Sequence, residues 1–286
     1  MGDDLLKANF PAIHMVGRAA ENSPRLLSLS WGDANHPRVT LIGKGVCFDS
    51  GGLDIKPSAG MRLMKKDMGG AAHVLGLAMW IMANQLPIRL EVLIPAVENS
   101  IGPNAFKPGD ILTMRNGLTV EIDNTDAEGR LILADVLVKA EEARPELIID
   151  FATLTGAARV AVGTEMAAMF TNDEGLALSL TEASREVADP LWRLPLFAPY
   201  ETMLDSNVAD LANASASSYA GAITAALFLQ RFISPATSWV HFDIMAWNVS
   251  SKPGKPEGGE AMGIRAIAHY LQKKYASVQT NAHILR

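Results

Sequence analysis

Two stretches of this 286-residue chain place acidic and basic side chains among glycines and apolar residues. The first spans Gly43 to Ala71 (GKGVCFDSGGLDIKPSAGMRLMKKDMGGA), and the second spans Asn124 to Arg130 (NTDAEGR). Four of their carboxylates and three of their cations are candidates for a shared site, namely Asp49, Asp67, Asp126, Glu128, Lys44, Lys56 and Arg130. Buried carboxylates in such number repel one another, and divalent metal ions would relieve that repulsion. Oxygen ligands without a histidine pair favour Mg²⁺, Mn²⁺ or a carboxylate-rich Zn²⁺ site, and two ions sharing carboxylates would form a hydrolytic centre.

The second stretch also has a purely structural interpretation. Thr125 followed by Glu128 before an apolar run matches a capping box, which on its own is the commoner explanation. Two details weaken it. Gly129 in a first helical turn costs about 1 kcal/mol relative to alanine, and Arg130 would place a cation at the positive end of the helix dipole. The stretch therefore indicates a function beyond capping.

The first stretch follows a buried strand, where α/β proteins bind ligands. Its structural alternatives are an ion pair between Lys44 and Asp49, and an N-cap formed by Asp67 for a helix near Gly69. The chain contains no phosphate-binding loop, HExxH, CxxC or GxSxG motif. A metal-dependent phosphohydrolase would use a similar oxygen-rich site, but it would also need a phosphate cradle. The chain shows no motif for such a cradle.

Two further residues could carry chemistry but have simpler interpretations. We expect His73, within an apolar helix, to be packed or capped rather than a ligand. The single cysteine, Cys47, is expected to be a buried strand residue rather than a nucleophile.

Composition restricts the class of protein. The chain is 49% hydrophobic and 20% charged, as in ordinary globular proteins. A net charge of −6 argues against nucleic acid or an anionic membrane as the partner. The apolar stretch from Ala71 to Ala83 is too short to span a bilayer. A single cysteine and an N-terminus unlike a secretory signal favour a cytoplasmic location.

Strands alternate with helices along the chain, which predicts an α/β sheet with helices on both faces. Asn116-Gly117 marks a hairpin between residues 111–115 and 118–122. Residues 43–67 and 251–259 are predicted as loops, and residues 1–37 as a lead-in segment. The remaining predicted elements are strands at 39–42, 90–96, 147–153 and 239–244, and helices at 70–84, 131–142, 176–187, 220–232 and 262–274.

The two charged stretches together resemble the leucyl (cytosol) aminopeptidase family. Later segments add to the resemblance, which extends from about Val39 to about Tyr270: ATLTG at 152–156, AGAITA at 220–225 and HFDI at 241–244. It implies an α/β catalytic domain of the aminopeptidase/phosphorylase type over residues 38–286, with a mixed, mostly parallel central sheet flanked by helices on both faces. The family's separate N-terminal domain is not expected in residues 1–37.

The resemblance also implies a ligand set for two Mn²⁺ or Zn²⁺ ions, with Mg²⁺ as an alternative. One ion would be held by Asp49, Asp126 and Glu128. The other would be held by Lys44, Asp67 and the same bridging pair, Asp49 and Glu128. A lysine ligand must lose its proton, which a neighbouring dication and burial both favour.

The remaining implied roles concern the reaction. A metal-bridging hydroxide would attack the peptide carbonyl, Lys56 would face that carbonyl, and Arg130 would hold a bicarbonate as general base. An apolar, leucine-like N-terminal residue is expected, although Met245 could narrow the pocket. Relatives assemble as hexamers, so a homo-oligomer acting on peptides is predicted. The implied substrate-binding residues are Met64, Asn124, Thr153, Leu154 and Gly156.

Overall fold

The computed structural model describes residues 1–276, so the last ten residues of the predicted catalytic domain lie outside it. Eight strands form one sheet in the order β1-β4-β2-β7-β11-β8-β9, with β3 paired to β4. A three-stranded sheet, β10-β6-β5, and a two-stranded sheet, β12-β13, lie outside it. The strands are β1 Arg25–Trp31, β2 Arg38–Gly43, β3 Gly45–Asp49, β4 Arg89–Asn99, β5 Ile111–Thr113, β6 Thr119–Glu121, β7 Leu147–Ala152, β8 Ala167–Thr171, β9 Leu191–Arg193, β10 Leu211–Ala212, β11 Ser238–Asp243, β12 Trp247–Asn248 and β13 Gly258–Gly259.

The centre of the sheet is parallel. Strand β2 pairs in parallel with β4 and β7, and β7 pairs in parallel with β11. Antiparallel pairs, β1 with β4 and β11 with β8, occur towards the sides. Strand β7 is fully buried and carries the apolar run expected of a central parallel strand. The predicted mixed, mostly parallel sheet is confirmed.

Helices cover both faces of the sheet and create two apolar cores. One core joins the sheet to α2, α5 and α8, and the other joins it to α4, α7 and α9. The helices are α1 Asp4–Lys7, α2 Pro11–Gly17, α3 Ser58–Met61, α4 Gly69–Ala83, α5 Glu128–Glu141, α6 Gly156–Val162, α7 Glu174–Glu186, α8 Gly221–Gln230 and α9 Ile264–Leu271, with short segments of other helix types at Met64–Lys66, Ala198–Leu204 and Gln272–Ala276.

Several elements differ from the predictions. Residues 45–49, predicted as loop, form β3, and residues 25–31 of the lead-in segment form the edge strand β1. Strands β8 and β9 and helix α6 were not predicted. Cys47 is a strand residue, but it is exposed, so its predicted burial is wrong.

Within residues 1–276 no helix is both long and apolar enough to cross a membrane.

The start of α4 packs unusually close to the sheet. A Cβ on Gly70 would lie 2.0 Å from the carbonyl oxygen of Phe151 in β7. Only glycine allows this approach. The Gly-Gly-Ala sequence after Asp67 therefore brings this carboxylate to the ends of the central strands.

Candidate metal centre

A cleft of about 390 Å³ opens at the carboxyl ends of β2, β7 and β11. Lys44 follows β2, Thr153 follows β7 and Asp243 ends β11, as expected for a site at this edge of a parallel sheet. Every residue that the sequence analysis assigned to the site lines this cleft except Glu128, which lies just behind it with 1% of its surface exposed. The two charged stretches therefore meet in space.

Two lysines connect the carboxylates. Lys44 Nζ lies 2.7 Å from Asp67 Oδ2 and 2.9 Å from Glu128 Oε1. Lys56 Nζ lies 2.9 Å from Asp49 Oδ2 and also pairs with Asp126. The simple Lys44–Asp49 pair considered from the sequence is replaced by these two bridges, and each bridge joins a carboxylate of the first stretch to one of the second.

Three carboxylates converge to a cluster that can hold a metal ion. Oxygens of Asp49, Asp126 and Glu128 all lie within 4.8 Å of one another. Burial and the charge of Asp49 raise the pKa of Glu128 to about 8 and that of Asp126 to about 6. Burial opposes ionisation of Asp49 too, but Lys44 and Lys56 hold its pKa below the usual value. Glu128 Oε2 is buried without a hydrogen-bond partner. The three carboxylates outnumber the two lysines that pair with them, and their oxygen donors fit a divalent cation.

Asp67 is not part of this oxygen cluster. It reaches the cluster through Lys44, and its Oδ1 accepts a 2.7 Å hydrogen bond from Thr153 Oγ1. The structural alternative for Asp67, an N-cap, is not found, because Met68 precedes α4 and no side chain caps that helix. Burial disfavours the charged form of Lys44, but the surrounding carboxylates favour it more strongly. They hold the pKa of Lys44 above its usual value.

The loop before α5 explains the unusual second stretch. Thr125 Oγ1 donates to Gly51 O at 2.7 Å, and its backbone N donates to Asp54 Oδ2 at 2.7 Å. The residue that precedes α5 is Ala127, which offers no side-chain cap, so the capping box does not form. A Cβ on Gly129 would lie 2.7 Å from Lys44 Cε and 2.8 Å from its Nζ. Glycine here leaves the space that Lys44 occupies.

Asn213 holds the same loop and was missed by the sequence analysis. Its buried Oδ1 accepts from the backbone N of Asp123 at 2.8 Å and of Asn124 at 3.1 Å, and its Nδ2 donates to Asn124 O at 2.7 Å. Its carbonyl oxygen accepts from Arg130 Nη1 at 2.8 Å. Asn213 lies 83 residues beyond Arg130, and no catalytic or metal-binding motif marks it.

Arg130 is buried, and part of its guanidinium is unused. Only 8% of its surface is exposed, and Nε has no hydrogen-bond partner. Across the described residues 1–276, no carboxylate oxygen lies within the 4.0 Å ion-pair distance of this guanidinium. Burial lowers its pKa to about 10, so that it remains charged at neutral pH. Arg130 can therefore bind an anion in the cleft.

Asp243 orders the turn that carries Thr153 to Gly156. Its Oδ1 accepts from the backbone N of Leu154 at 3.0 Å and of Thr155 at 3.1 Å, and its Oδ2 accepts from Thr155 Oγ1 at 2.6 Å. This links the HFDI segment to the cleft wall, a connection that the sequence analysis did not make.

Two other residues lie away from the cleft. Met245 is buried in the core shared with α4 and α9 and is not among the cleft-lining residues, so it does not narrow the cleft. His73 Nδ1 bonds to Gly69 O at 2.7 Å, and Nε2 accepts from Met262 N at 2.9 Å. The prediction of a packed histidine is confirmed.

The geometry agrees with comparisons to known proteins. Residues 1–268 match the model of the cytosol aminopeptidase family, catalytic domain. The chain belongs to the cytosol aminopeptidase family. Among curated members, a "Probable cytosol aminopeptidase" of Chlamydia abortus is 44% identical over 277 residues, covering 95% of this chain and 55% of that protein. Peptidase B of Serratia proteamaculans is 43% identical over 280 residues, covering 96% of this chain and 65% of that protein.

Solved structures show the same relationship. The cytosol aminopeptidase of Coxiella burnetii is 59% identical with a TM-score of 0.94, covering 96% of this chain and 60% of that one. The bottromycin maturation enzyme BotP, in complex with Mn, is 39% identical with a TM-score of 0.89. The match covers 96% of this chain and 61% of that one. The resemblance to the cytosol aminopeptidase family is confirmed. The chain spans 55% to 65% of the length of these relatives.

Proposed function

We propose that this chain forms the catalytic centre of a two-metal aminopeptidase, which releases the N-terminal residue of peptides. The observation that carries the proposal is the convergence of Asp49, Asp126 and Glu128 beside the Lys44–Asp67 pair. Family membership and the Mn complex of the related BotP support it.

The chain offers ligands for two divalent ions. Asp49, Asp126 and Glu128 would hold one ion, and Lys44 and Asp67 would join Asp49 and Glu128 around the other. Lys44 lies between Asp67 and Glu128, where a deprotonated amine can serve as a ligand. Bound Mn²⁺, Zn²⁺ or Mg²⁺ would supply a Lewis acid and activate water at neutral pH.

Two cations act on the reacting peptide. The Lys56 ammonium, placed beside Asp49 and Asp126, would stabilise negative charge as it develops on the peptide carbonyl oxygen. The unused side of the Arg130 guanidinium would bind bicarbonate, which would accept the proton of the attacking water. Asn213 fixes the position of Arg130 through the 2.8 Å hydrogen bond.

The cleft walls would hold the substrate. Met64 and Leu154 offer apolar contact, in keeping with the leucine-like preference implied by the resemblance. Asn124, Thr153 and Gly156 line the same cleft and offer polar or open surface for the peptide backbone. Assembly as a hexamer and a cytoplasmic location stay predictions.

The test is hydrolysis of leucine p-nitroanilide by the metal-stripped chain, before and after addition of Mn²⁺ or Zn²⁺. We expect metal to restore activity in the wild type and in Asp123→Ala, whose carboxylate is exposed, but not in Asp126→Ala. Equal activity of Asp126→Ala and Asp123→Ala would contradict the ligand assignment. Wild-type protein that binds metal but releases no residue from any peptide would contradict the activity.

A further inference from the structure

One cation in the cleft has no role in the proposed centre. Lys66, at the end of the short helical turn before Asp67, is 4% exposed and lines the cleft. Its chain neighbour Lys65 is exposed and lies over the Trp247 ring, 5.2 Å from the centroid. Neighbouring lysines thus have opposite environments, and only Lys66 faces the cleft.

Lys66 is also unpaired. In the described part of the chain, no carboxylate oxygen comes within 4.0 Å of its ammonium. The nearby carboxylate of Asp67 is taken by Lys44 and Thr153. Burying a charge without a partner is costly, so such groups tend to be retained for a function.

A second cation faces the same space. Arg159 of α6 lines the cleft, and its Nη2 lies 3.4 Å from where a Cβ on Gly156 would be. Its guanidinium has no ion pair among residues 1–276 either. The positive charge of Arg159 acts on Lys66 across the cleft, against the larger opposing effect of the neighbouring Asp67 carboxylate.

We propose that Lys66 and Arg159 form an anion subsite that binds a carboxylate of the peptide substrate. The inference rests on the proposed aminopeptidase function. The carboxylate has two possible sources: an aspartate or glutamate side chain at the N-terminal position, or the C-terminal carboxylate of a very short peptide. Both would give the unpaired cations a partner only when substrate is bound, with charge-assisted hydrogen bonds.

The test compares substrates that differ only in charge. One pair is glutamyl and glutaminyl p-nitroanilide, which lack a peptide C-terminus. The other pair is Leu-Gly and Leu-Gly amide. For Lys66→Met, we expect the kcat/KM ratio of the charged to the neutral member to fall about 10- to 100-fold in one pair. The pair that responds identifies the source of the carboxylate.

Two further variants and a control complete the experiment. Arg159→Gln is expected to lower the same ratio, and Lys66→Arg to restore part of it, because the arginine keeps the charge. Lys65→Met removes an equal charge outside the cleft. We expect it to leave the kcat/KM ratio of charged to neutral substrate at the wild-type value.

The outcomes separate this inference from the proposed function. If wild-type protein hydrolyses the neutral substrates but Lys66→Met leaves both ratios as they are, the subsite is refuted while the aminopeptidase stands. A fall of equal size for charged and neutral substrates refutes it as well, since that result indicates a structural role. If wild-type protein hydrolyses none of the four substrates, both proposals fail together.

Discussion

At the scale of single residues, Gly129 shows how the centre is assembled. A glycine in the first turn of α5 is unfavourable by helix propensity. A side chain there would occupy the space of Lys44, which bridges Asp67 and Glu128 from within a buried position. The position is therefore set by the requirements of a neighbouring side chain rather than by those of the helix.

The close approach of Gly129 to Lys44 determines whether an alanine at this position stabilises or destabilises the fold. Propensity alone would make Gly129→Ala stabilising by about 1 kcal/mol. We expect it instead to lower the free energy of unfolding by about 1–3 kcal/mol, because the new methyl group overpacks Lys44. Gly76→Ala is the matched control: its Cβ would meet only Ile264 Cδ1 at 3.8 Å, and it should stabilise. Urea unfolding of both variants tests this, and equal stabilisation would contradict it.

Sequence patterns identified the charged residues of the cleft but not the residues that hold them. Asp49, Asp126 and Glu128 were recognisable because carboxylates on glycine-rich segments are chemically unusual. Asn213 and Asp243 act through hydrogen bonds to the backbone of distant loops, and neither the type nor the spacing of such residues indicates a distant partner.

At the scale of elements, His73 couples α4 to the segment that leads into α9. Its Nε2 accepts from Met262 N, and its Nδ1 bonds to Gly69 O. Burial lowers the pKa of His73, in keeping with a neutral ring whose Nε2 must stay unprotonated to accept. The link between the two helices thus depends on the protonation state of one ring.

A pH dependence of stability follows. Because the folded-state pKa of His73 lies below the unfolded value near 6.5, its contribution is complete above pH 6.5 and is lost as pH falls through the folded-state pKa. A single such group changes the free energy of unfolding by at most about 1.4 kcal/mol per pH unit. We expect His73→Gln to be less stable at pH 8 but to lose less stability on acidification. Equal slopes in urea unfolding between pH 8 and pH 5 would contradict this.

Long elements were predicted more reliably than short ones. Helices α4 and α5 and strands β4 and β7 carry extended apolar runs, and their predicted bounds differ from the observed ones by a few residues. Strand β3 was missed because its glycine and charged residues are those of a loop, and it exists through pairing with β4. Most residues of strand β1 are exposed. Without a buried face, its sequence shows no strong alternation of apolar and polar residues.

At the scale of the whole molecule, metal binding should contribute to stability. The cluster of Asp49, Asp126 and Glu128 is deficient in positive charge, so an ion that binds only the folded chain stabilises it. At a concentration one hundred times Kd, one ion would contribute about 2.7 kcal/mol. For a chain of 286 residues, that corresponds to an increase in Tm of about 4–5 °C.

The measurement is thermal unfolding of chelator-treated protein titrated with Mn²⁺, Zn²⁺ or Mg²⁺. We expect added metal to raise the Tm of wild-type protein and of Asp123→Ala, and to raise that of Asp126→Ala much less. This readout does not depend on catalysis. The absence of any increase with all three ions would refute the metal centre even if some peptidase activity were found.

The hydrogen bonds of Asn213 and Asp243 have a consequence for synthesis. All five proposed ligands lie between residues 44 and 128 and leave the ribosome before Asn213 and β11 do. Contacts so distant along the chain form late and slow folding. A nascent chain that ends before residue 213 therefore carries all five proposed ligands without the side chain that holds the loop at Asp123 and Asn124, and we expect the proposed metal centre to form only after the last central strand has joined the sheet.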